Sequence, residues 1–348
     1  GALDSPAGRD ALRRAARRHH LPVALSYKRQ DLFDNADTLF AGYLGFKVPR
    51  AQVDLMRESD LVLAVGTRLT DVTTQGYRLP QAPVPEQPLV HVYPDARQLG
   101  RVFKADVPIV ADPARLLEQL AEREVLDGCD RRDEWSNRLH SYAANLAVYS
   151  PTARPDGVEF GAIVQALAAR AARDAVVSTD GGNFGGWVHR LWPWTPANRL
   201  IGTAGGAMGL GVPGAVAAAL RHPDRQVLAF VGDGGFMMTG AEIATAVQRG
   251  LNATIIVSNN RSYATIRQQQ ELAYPGRVVG SELPSIDFAK LAEGCGARGF
   301  SVAALHDIEG VVRAALDVRG VALIDVKTSL EAISAYTTLT DVRARKGE

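Results

Sequence analysis

Apolar residues recur at helical spacing over 6–20, where Leu12, Ala15 and Ala16 share one face behind Pro6, and this predicts an N-terminal helix. Pro22–Ser26 is a short apolar run of strand length. A helical period covers 51–59, and Asp60-Leu-Val-Leu-Ala-Val-Gly66 follows as an unbroken apolar run closed by glycine. Such a run suits a parallel strand buried on both faces. Leu89–Tyr93 and Val107–Ala111 repeat the theme, each followed by a helix-like stretch. Strands alternating with helices at this spacing predict an α/β sheet with right-handed crossovers. A polar amphipathic helix over 130–149 leads into Ser150-Pro-Thr-Ala-Arg-Pro-Asp-Gly157, which reads as a linker. The pattern then restarts. Helices over 158–173, 212–221, 240–249, 287–294 and 307–317 alternate with strands Ala175–Thr179, Gln226–Val231, Ala253–Ser258, 298–303 and Val321–Val326. A polar tail from Ser329 is expected to be mobile. The reading is α/β: two doubly wound parallel-sheet domains, 1–150 and 151–348.

Composition narrows the function. Among 348 residues, 39 Lys and Arg stand against 38 Asp and Glu, a net charge of +1. That balance offers no surplus for a nucleic-acid backbone. The dense basic run Arg9–His20 lies on the helical period and reads as a solvated face. No stretch approaches the ~18 apolar residues of a membrane span, and no signal-peptide pattern is expected. Cys129 and Cys295 are too few for a disulfide framework or a structural zinc site, so reduced thiols in a cytoplasmic protein are expected. The chain opens on Gly1 rather than Met, as a processed start or a piece of a longer polypeptide would.

The chemistry gathers at three strand ends: Asp180-Gly181-Gly182-Asn183, Gly232-Asp233-Gly234-Gly235 and Asn259-Asn260. Ligands of open α/β sheets bind at the carboxyl ends of strands. Glycines there let backbone N–H groups approach an anion, and the following helix N-terminus favours negative charge. A carboxylate inside such a turn repels a phosphate unless a cation lies between them, so Asp233 points to a metal–phosphate site. Asn260, 27 residues on, adds a neutral oxygen at the next strand end. One carboxylate, one amide oxygen, a carbonyl and phosphate oxygens suit octahedral Mg²⁺. A rival is the dinucleotide fingerprint Gly209-Leu-Gly211-Val-Pro-Gly214, with Asp233 about 20 residues on, which would imply an oxidoreductase. It is weaker, because the segment before it carries Gly202, Gly205 and Gly206 instead of a clean apolar strand.

Gly232-Asp233-Gly234 followed by Asn259-Asn260 resembles the thiamin-diphosphate motif of the acetolactate synthase and benzoylformate decarboxylase superfamily, and the resemblance spans nearly the whole chain. It implies that 1–150 is the central domain and the remainder the diphosphate-binding domain. Asp233 and Asn260 would then ligate Mg²⁺ through side-chain oxygens and Ser262 through its backbone carbonyl. Gly182, Asn183 and Phe184 would form the diphosphate loop, with Gly232, Gly234, Gly235, Tyr263 and Ala264 completing the cofactor contacts. Met208 would prop thiamin diphosphate in its bent shape, so that the cofactor removes its own C2 proton, and Gly206 and Met208 would hold the aminopyrimidine edge. The alternative for Met208 is an ordinary core methionine.

The implied activity is decarboxylation or carboligation of a 2-oxo acid by a homodimer or homotetramer, a lyase or transferase. The family's pyrimidine-binding domain, with its glutamate, has no counterpart in these residues. It would be supplied in cis or by another chain, and the isolated chain is expected to be inactive. The alternative is a half-enzyme that binds cofactor without turnover. FAD in the central domain stays open, near 67–71 and Asp95. Gln269 replaces the tryptophan of the acetolactate synthase acceptor pocket, and Asn183-Phe184 replaces Gln-His. With Tyr27–Asp34 and Tyr274–Arg277, these departures resemble a bacterial acetolactate synthase-like group of unsettled substrate. Trp187, His189, Trp192 and Trp194 form an aromatic-rich loop expected to pack at a subunit interface, the alternative being a roof over the active site, and Cys295 is expected to pack at a helix end.

Overall fold

The computed structural model describes residues 2–46, 48–125 and 130–344. The chain divides into two compact units, one of Gly1–Ala147 with Trp194–Pro196, the other of Val148–Pro193 with Ala197–Glu348. The short return at 194–196 leaves no mark in the hydrophobic pattern. Cys129 lies outside the described residues.

The first unit runs α1 (Pro6–Arg18), β1 (Val23–Ser26), β2 (Phe40–Leu44), α2 (Arg50–Arg57), β3 (Val62–Val65), β4 (Leu89–Tyr93), β5 (Val107–Val110), α3 (Pro113–Ala121) and α4 (Asp130–Ala147). Ser5 caps α1 by accepting the Gly8 N–H at 3.0 Å, satisfying one of its free amide donors. The strands form two separate parallel sheets, β1–β2 and β3–β4–β5, instead of one continuous sheet. Each strand has only four or five residues, too short for a long ladder. Nor is β3 buried on both faces: Ala64 alone in it is buried, Leu61 just before it is exposed, and the valines of edge strand β5 are exposed. Arg9 also departs from the solvated face expected of its helix. It is buried and donates to both the Asp31 carbonyl and the Asp31 carboxylate, the latter at 2.6 Å.

The second unit runs α5 (Phe160–Ala168), β6 (Val176–Thr179), α6 (Gly185–Leu191), β7 (Arg199–Ile201), α7 (Gly211–Arg221), β8 (Val227–Gly232), α8 (Asp233–Thr239), α9 (Glu242–Gln248), β9 (Ala253–Asn259), α10 (Ala264–Ala273), α11 (Phe288–Gly294), β10 (Arg298–Val302), α12 (Ile308–Leu316), β11 (Val321–Lys327) and α13 (Leu339–Ala344). Its six strands form one parallel sheet in the order β10-β11-β9-β8-β6-β7. Every residue of β9 is buried, as are all but the last of β8 and β11, the signature of strands covered on both faces. The core layer on one side joins Val212, Val216, Phe236, Ile243 and Phe288 to the inward residues of these strands.

Three further expectations change. The helix expected over 240–249 is α9, and a further helix that the pattern did not mark, α8, precedes it from Asp233 to Thr239. The segment after Ser329 is folded: Ile333, Leu339 and Val342 form a small buried cluster, and α13 packs on α10. Glu271 of α10, itself fully buried, accepts from Arg267 at 3.0 Å, from Arg343 of α13 at 2.7 and 3.0 Å, and from the Gly276 N–H at 2.8 Å. Third, Trp187 and Trp192 are buried within this unit and Trp194 within the first, so they are core residues instead of a surface cluster. Cys295 is a free, half-buried thiol that caps α11. No described helix is long and apolar enough to cross a membrane.

Candidate cofactor site

From β6 the chain steps outward to β7 and then returns to the other side of β6 as β8. This reversal leaves a crevice at the carboxyl ends of β6 and β8, where open α/β sheets bind ligands. The glycine turns after both strands therefore lie at the switch point.

After β6, Asp180 turns into the protein and accepts the Gly211 N–H at 2.6 Å. A carboxylate thus occupies the N-terminus of α7, the position a dinucleotide's pyrophosphate would need. The glycines of the G-x-G-x-x-G stretch serve packing instead. A Cβ on Gly214 would stand 2.6 Å from the Ser178 hydroxyl, and one on Gly211 would collide with Val231. The segment before α7 is irregular, as its glycines suggested.

The next residues form the loop expected to face a diphosphate. The Gly181 N–H donates to the Ala207 carbonyl at 3.2 Å, and a Cβ on Gly181 would strike the Gly206 carbonyl. The loop therefore lies directly on the 206–208 turn. Gly182 is exposed at φ +151°, and the half-buried Phe184 ring packs across Gly182 and Gly232. Asn183 reaches away to α10: its N–H donates to Thr265 Oγ1 at 3.0 Å and its Nδ2 to Gln268 Oε1 at 2.8 Å. Met208 is 38% exposed, so it is no ordinary core methionine.

At the end of β8, Asp233 opens α8 and is buried. Its Oδ1 accepts the Gly234 N–H at 2.8 Å and its Oδ2 the Ser262 N–H at 3.3 Å. Asn260 Oδ1 accepts the same Ser262 N–H at 3.0 Å. One amide hydrogen therefore gathers the two side-chain oxygens that the strand ends offer. Glycine is needed beside them, because a Cβ on Gly234 would strike the Tyr263 ring and one on Gly235 the Asp180 carboxylate. The Ser262 carbonyl accepts the Ala264 N–H at 2.7 Å and retains a second lone pair.

Asn259 serves a different purpose from Asn260. Successive residues of a strand point to opposite faces. Asn259 accordingly donates to the buried carboxylate of Asp325 at 2.9 Å and to the Ile286 carbonyl at 3.1 Å. Gln269 is exposed on α10. In the first unit, Asp95 is paired with its neighbour Arg97, and Arg68, Thr70, His91 and Arg101 border a cavity of about 230 Å³.

Burial pushes the Asp233 carboxyl up to about 6, against the pull of backbone donors led by the Gly234 N–H. Such a group is short of compensating charge, and no lysine or arginine among the described residues pairs with it. A divalent cation bound beside Asn260 would supply that charge. No cluster of three or more His, Cys, Asp or Glu that could hold a metal occurs among the described residues. The donor set is one carboxylate plus neutral oxygens, which suits a cation that keeps substrate phosphates among its ligands. The residues present therefore fit a Mg²⁺–diphosphate group. Thr265 and Gln268 lie outside the three strand-end motifs. Thr265 and Gln268 are three apart and so share one face of α10, the only local signal for them.

Comparison with known proteins identifies the domains. A family model described as "Thiamine pyrophosphate enzyme, C-terminal TPP binding domain" matches residues 180–326, and one described as the central domain of the same enzymes matches 1–120. The chain is 30% identical over 336 residues to the acetolactate synthase isozyme 1 large subunit of Escherichia coli K12, covering 95% of this chain and 58% of that one. It is 29% identical over 310 residues to the acetolactate synthase large subunit of Haemophilus influenzae, covering 87% and 53%. Among solved structures, the thiamine diphosphate-dependent 4-hydroxybenzoylformate decarboxylase of Rhodococcus jostii RHA1 shares the fold with a TM-score of 0.74. That match has 24% identity and covers 94% of this chain and 60% of the decarboxylase. The chain spans a little over half the length of the curated relatives it matches.

Proposed function

Because the chain belongs to the thiamine pyrophosphate enzymes, carrying their central and C-terminal TPP-binding domains, we propose that it holds thiamin diphosphate through Mg²⁺ in an enzyme acting on a 2-oxo acid. The observation that carries this reading is the convergence of Asp233 Oδ2 and Asn260 Oδ1 on the single Ser262 N–H, at 3.3 and 3.0 Å. Asp233 and Asn260 would hold the cation, with the Ser262 carbonyl as a third ligand. Gly182, Gly234 and Gly235 would let the diphosphate approach the backbone. The exposed Met208 would support the cofactor from the neighbouring turn, with Gly206 beside it. Bound thiamin diphosphate supplies a nucleophilic carbon for the keto group and a sink for the electrons released with CO₂. The protein's share is positioning and charge compensation.

Similarity to acetolactate synthases favours carboligation after decarboxylation, and the exposed Gln269 argues for an acceptor unlike theirs. A pyrimidine-binding domain, in the same polypeptide or from another chain, would complete the pocket in a homodimer or homotetramer. Support comes from α8, which leaves Met237 and Met238 exposed just beyond Asp233.

The test is calorimetric titration of the chain with thiamin diphosphate, with and without Mg²⁺, beside Asp233→Ala. Binding that needs Mg²⁺ and vanishes in the variant is expected. Equal binding without the cation, or by Asp233→Ala, would overturn the reading.

A further inference from the structure

We propose that Asn183 is a positioning residue that ties the diphosphate loop to the metal-binding turn, and not a ligand of the diphosphate; this rests on the Mg²⁺–diphosphate reading above. The argument is one of hydrogen-bond polarity. A side-chain amide has two N–H donors and one carbonyl acceptor, and a phosphate oxygen needs donors. Asn183 Nδ2 donates to Gln268 Oε1 at 2.8 Å and toward the Ala264 carbonyl at 3.4 Å. A backbone carbonyl can only accept, which fixes the nitrogen end of the amide. Asn183 Oδ1 accepts from the Thr265 hydroxyl at 3.1 Å, and the Asn183 backbone N–H donates back to that hydroxyl oxygen at 3.0 Å. Every donor of Asn183 is thus engaged with α10. What the side chain has left is oxygen lone pairs, which repel a phosphate.

Topology gives this clamp a purpose. Asp180–Phe184 follows β6 and Asn260–Ser262 follows β9, yet β8 lies between those strands. No ladder bond joins β6 to β9, whose ends are two strand spacings, about 10 Å, apart. The Asn183–α10 contacts bridge that gap, because α10 starts at Ala264, two residues after Ser262. The loop that would face the diphosphate and the turn that would face the cation are therefore held in register through one residue, Asn183. Gln268, 2% exposed, supports the amide from behind and has no access to the ligand.

The test uses the full chain, with inorganic pyrophosphate and Mg²⁺ as the probe, and the variants Asn183→Ala, Gln268→Met and both together. Each single variant should weaken pyrophosphate binding roughly tenfold, the scale of a lost buried hydrogen bond, and the double variant should be no weaker than Asn183→Ala alone. Unliganded thermal melts show whether each variant folds. Amide hydrogen exchange over 181–185, read without any ligand, should accelerate in Gln268→Met. If Gln268→Met binds as the unaltered chain does while Asn183→Ala does not, Asn183 touches the diphosphate directly and the proposal fails. Unchanged exchange over 181–185 in Gln268→Met would overturn it as well. Failure of the unaltered chain to bind Mg²⁺–pyrophosphate, with faster exchange still seen in Gln268→Met, would sink the cofactor reading and the clamp's purpose while leaving the clamp itself in place.

Discussion

Removing the carboxylate of Glu271 should loosen the C-terminal helix and unsettle the second unit. Glu271 is fully buried and bonded to two arginines and an amide, so Glu271→Ala removes the buried carboxylate facing them and leaves Arg267 the exposed Glu282 at 3.9 Å. Breaking a buried pair in this way costs about 3–5 kcal/mol. The lower end applies, because Arg343 is 45% exposed and can return to water, and Arg267, only 13% exposed, keeps Glu282 within 3.9 Å. At roughly 2–4 °C per kcal/mol for a domain of this size, the melting temperature of the second unit should fall by roughly 6–12 °C. Arg343→Ala leaves Glu271 its bonds to Arg267 and Gly276, so its loss should be less than half as large. Acid provides a second check. The hydrogen bond from Arg343, followed by those from Gly276 and Arg267, holds the Glu271 carboxyl down at about 2 from a usual 4.5. A carboxyl depressed by folding stabilises above its unfolded value and loses that contribution as pH falls toward its folded value. The gap in melting temperature between the unaltered chain and Glu271→Gln should therefore close between pH 4.5 and about 2. A fall below about 3 °C for Glu271→Ala, or an equal fall for Arg343→Ala, would refute the reasoning.

Three further outcomes are expected. Gly181→Ala drives a methyl group into the Gly206 carbonyl, which is backbone and cannot rotate away; a loss of about 1–3 kcal/mol in urea unfolding and loss of Mg²⁺–pyrophosphate binding should follow, and intact binding would show that the two turns are not in contact. Asn259→Leu takes a donor from the buried Asp325 carboxylate, which keeps the Phe288 N–H and Lys327. It should cost about 1–3 kcal/mol by the same measurement, with Asn260 left to bind the cation. In the first unit, Asp31→Ala takes from the buried guanidinium of Arg9 its nearest carboxylate and leaves it the residue-31 carbonyl and the Asp4 carboxylate at 3.8 Å; it should cost about 1–3 kcal/mol, read as an earlier calorimetric transition.

Much of the second unit can be read from the chain alone. β8, β9 and β11 are covered on both faces, so their sequences are mostly apolar and need no partner to be recognised, with Thr254 and Ser258 in β9 and Asp325 in β11 as buried polar exceptions. The pairing of Asp233 with Asn260 is legible for a related reason. Each closes such a run, and adjacent parallel strands bring their ends together. The first unit is harder to read, because its strands are short and partly exposed, and the apolar run before Gly66 mimics a buried strand.

The amino-acid pattern alone sets the α/β class, five of the six strands of the second unit with the helices between them, and the carboxylate–amide pair at its strand ends, but not β7, α6, α8, α10 or α13. These follow from local periodicity and from residues that mark the ends of elements. Folding in three dimensions decides which polar groups are already engaged. Asp180 caps a helix 31 residues away, Asn183 is bonded to Gln268 85 residues away, and Glu271 is bonded to Arg343 72 residues away. Hydrogen bonds are directional and satisfied pair by pair, so whether an asparagine offers a donor to a ligand depends on partners that neither composition nor spacing can name.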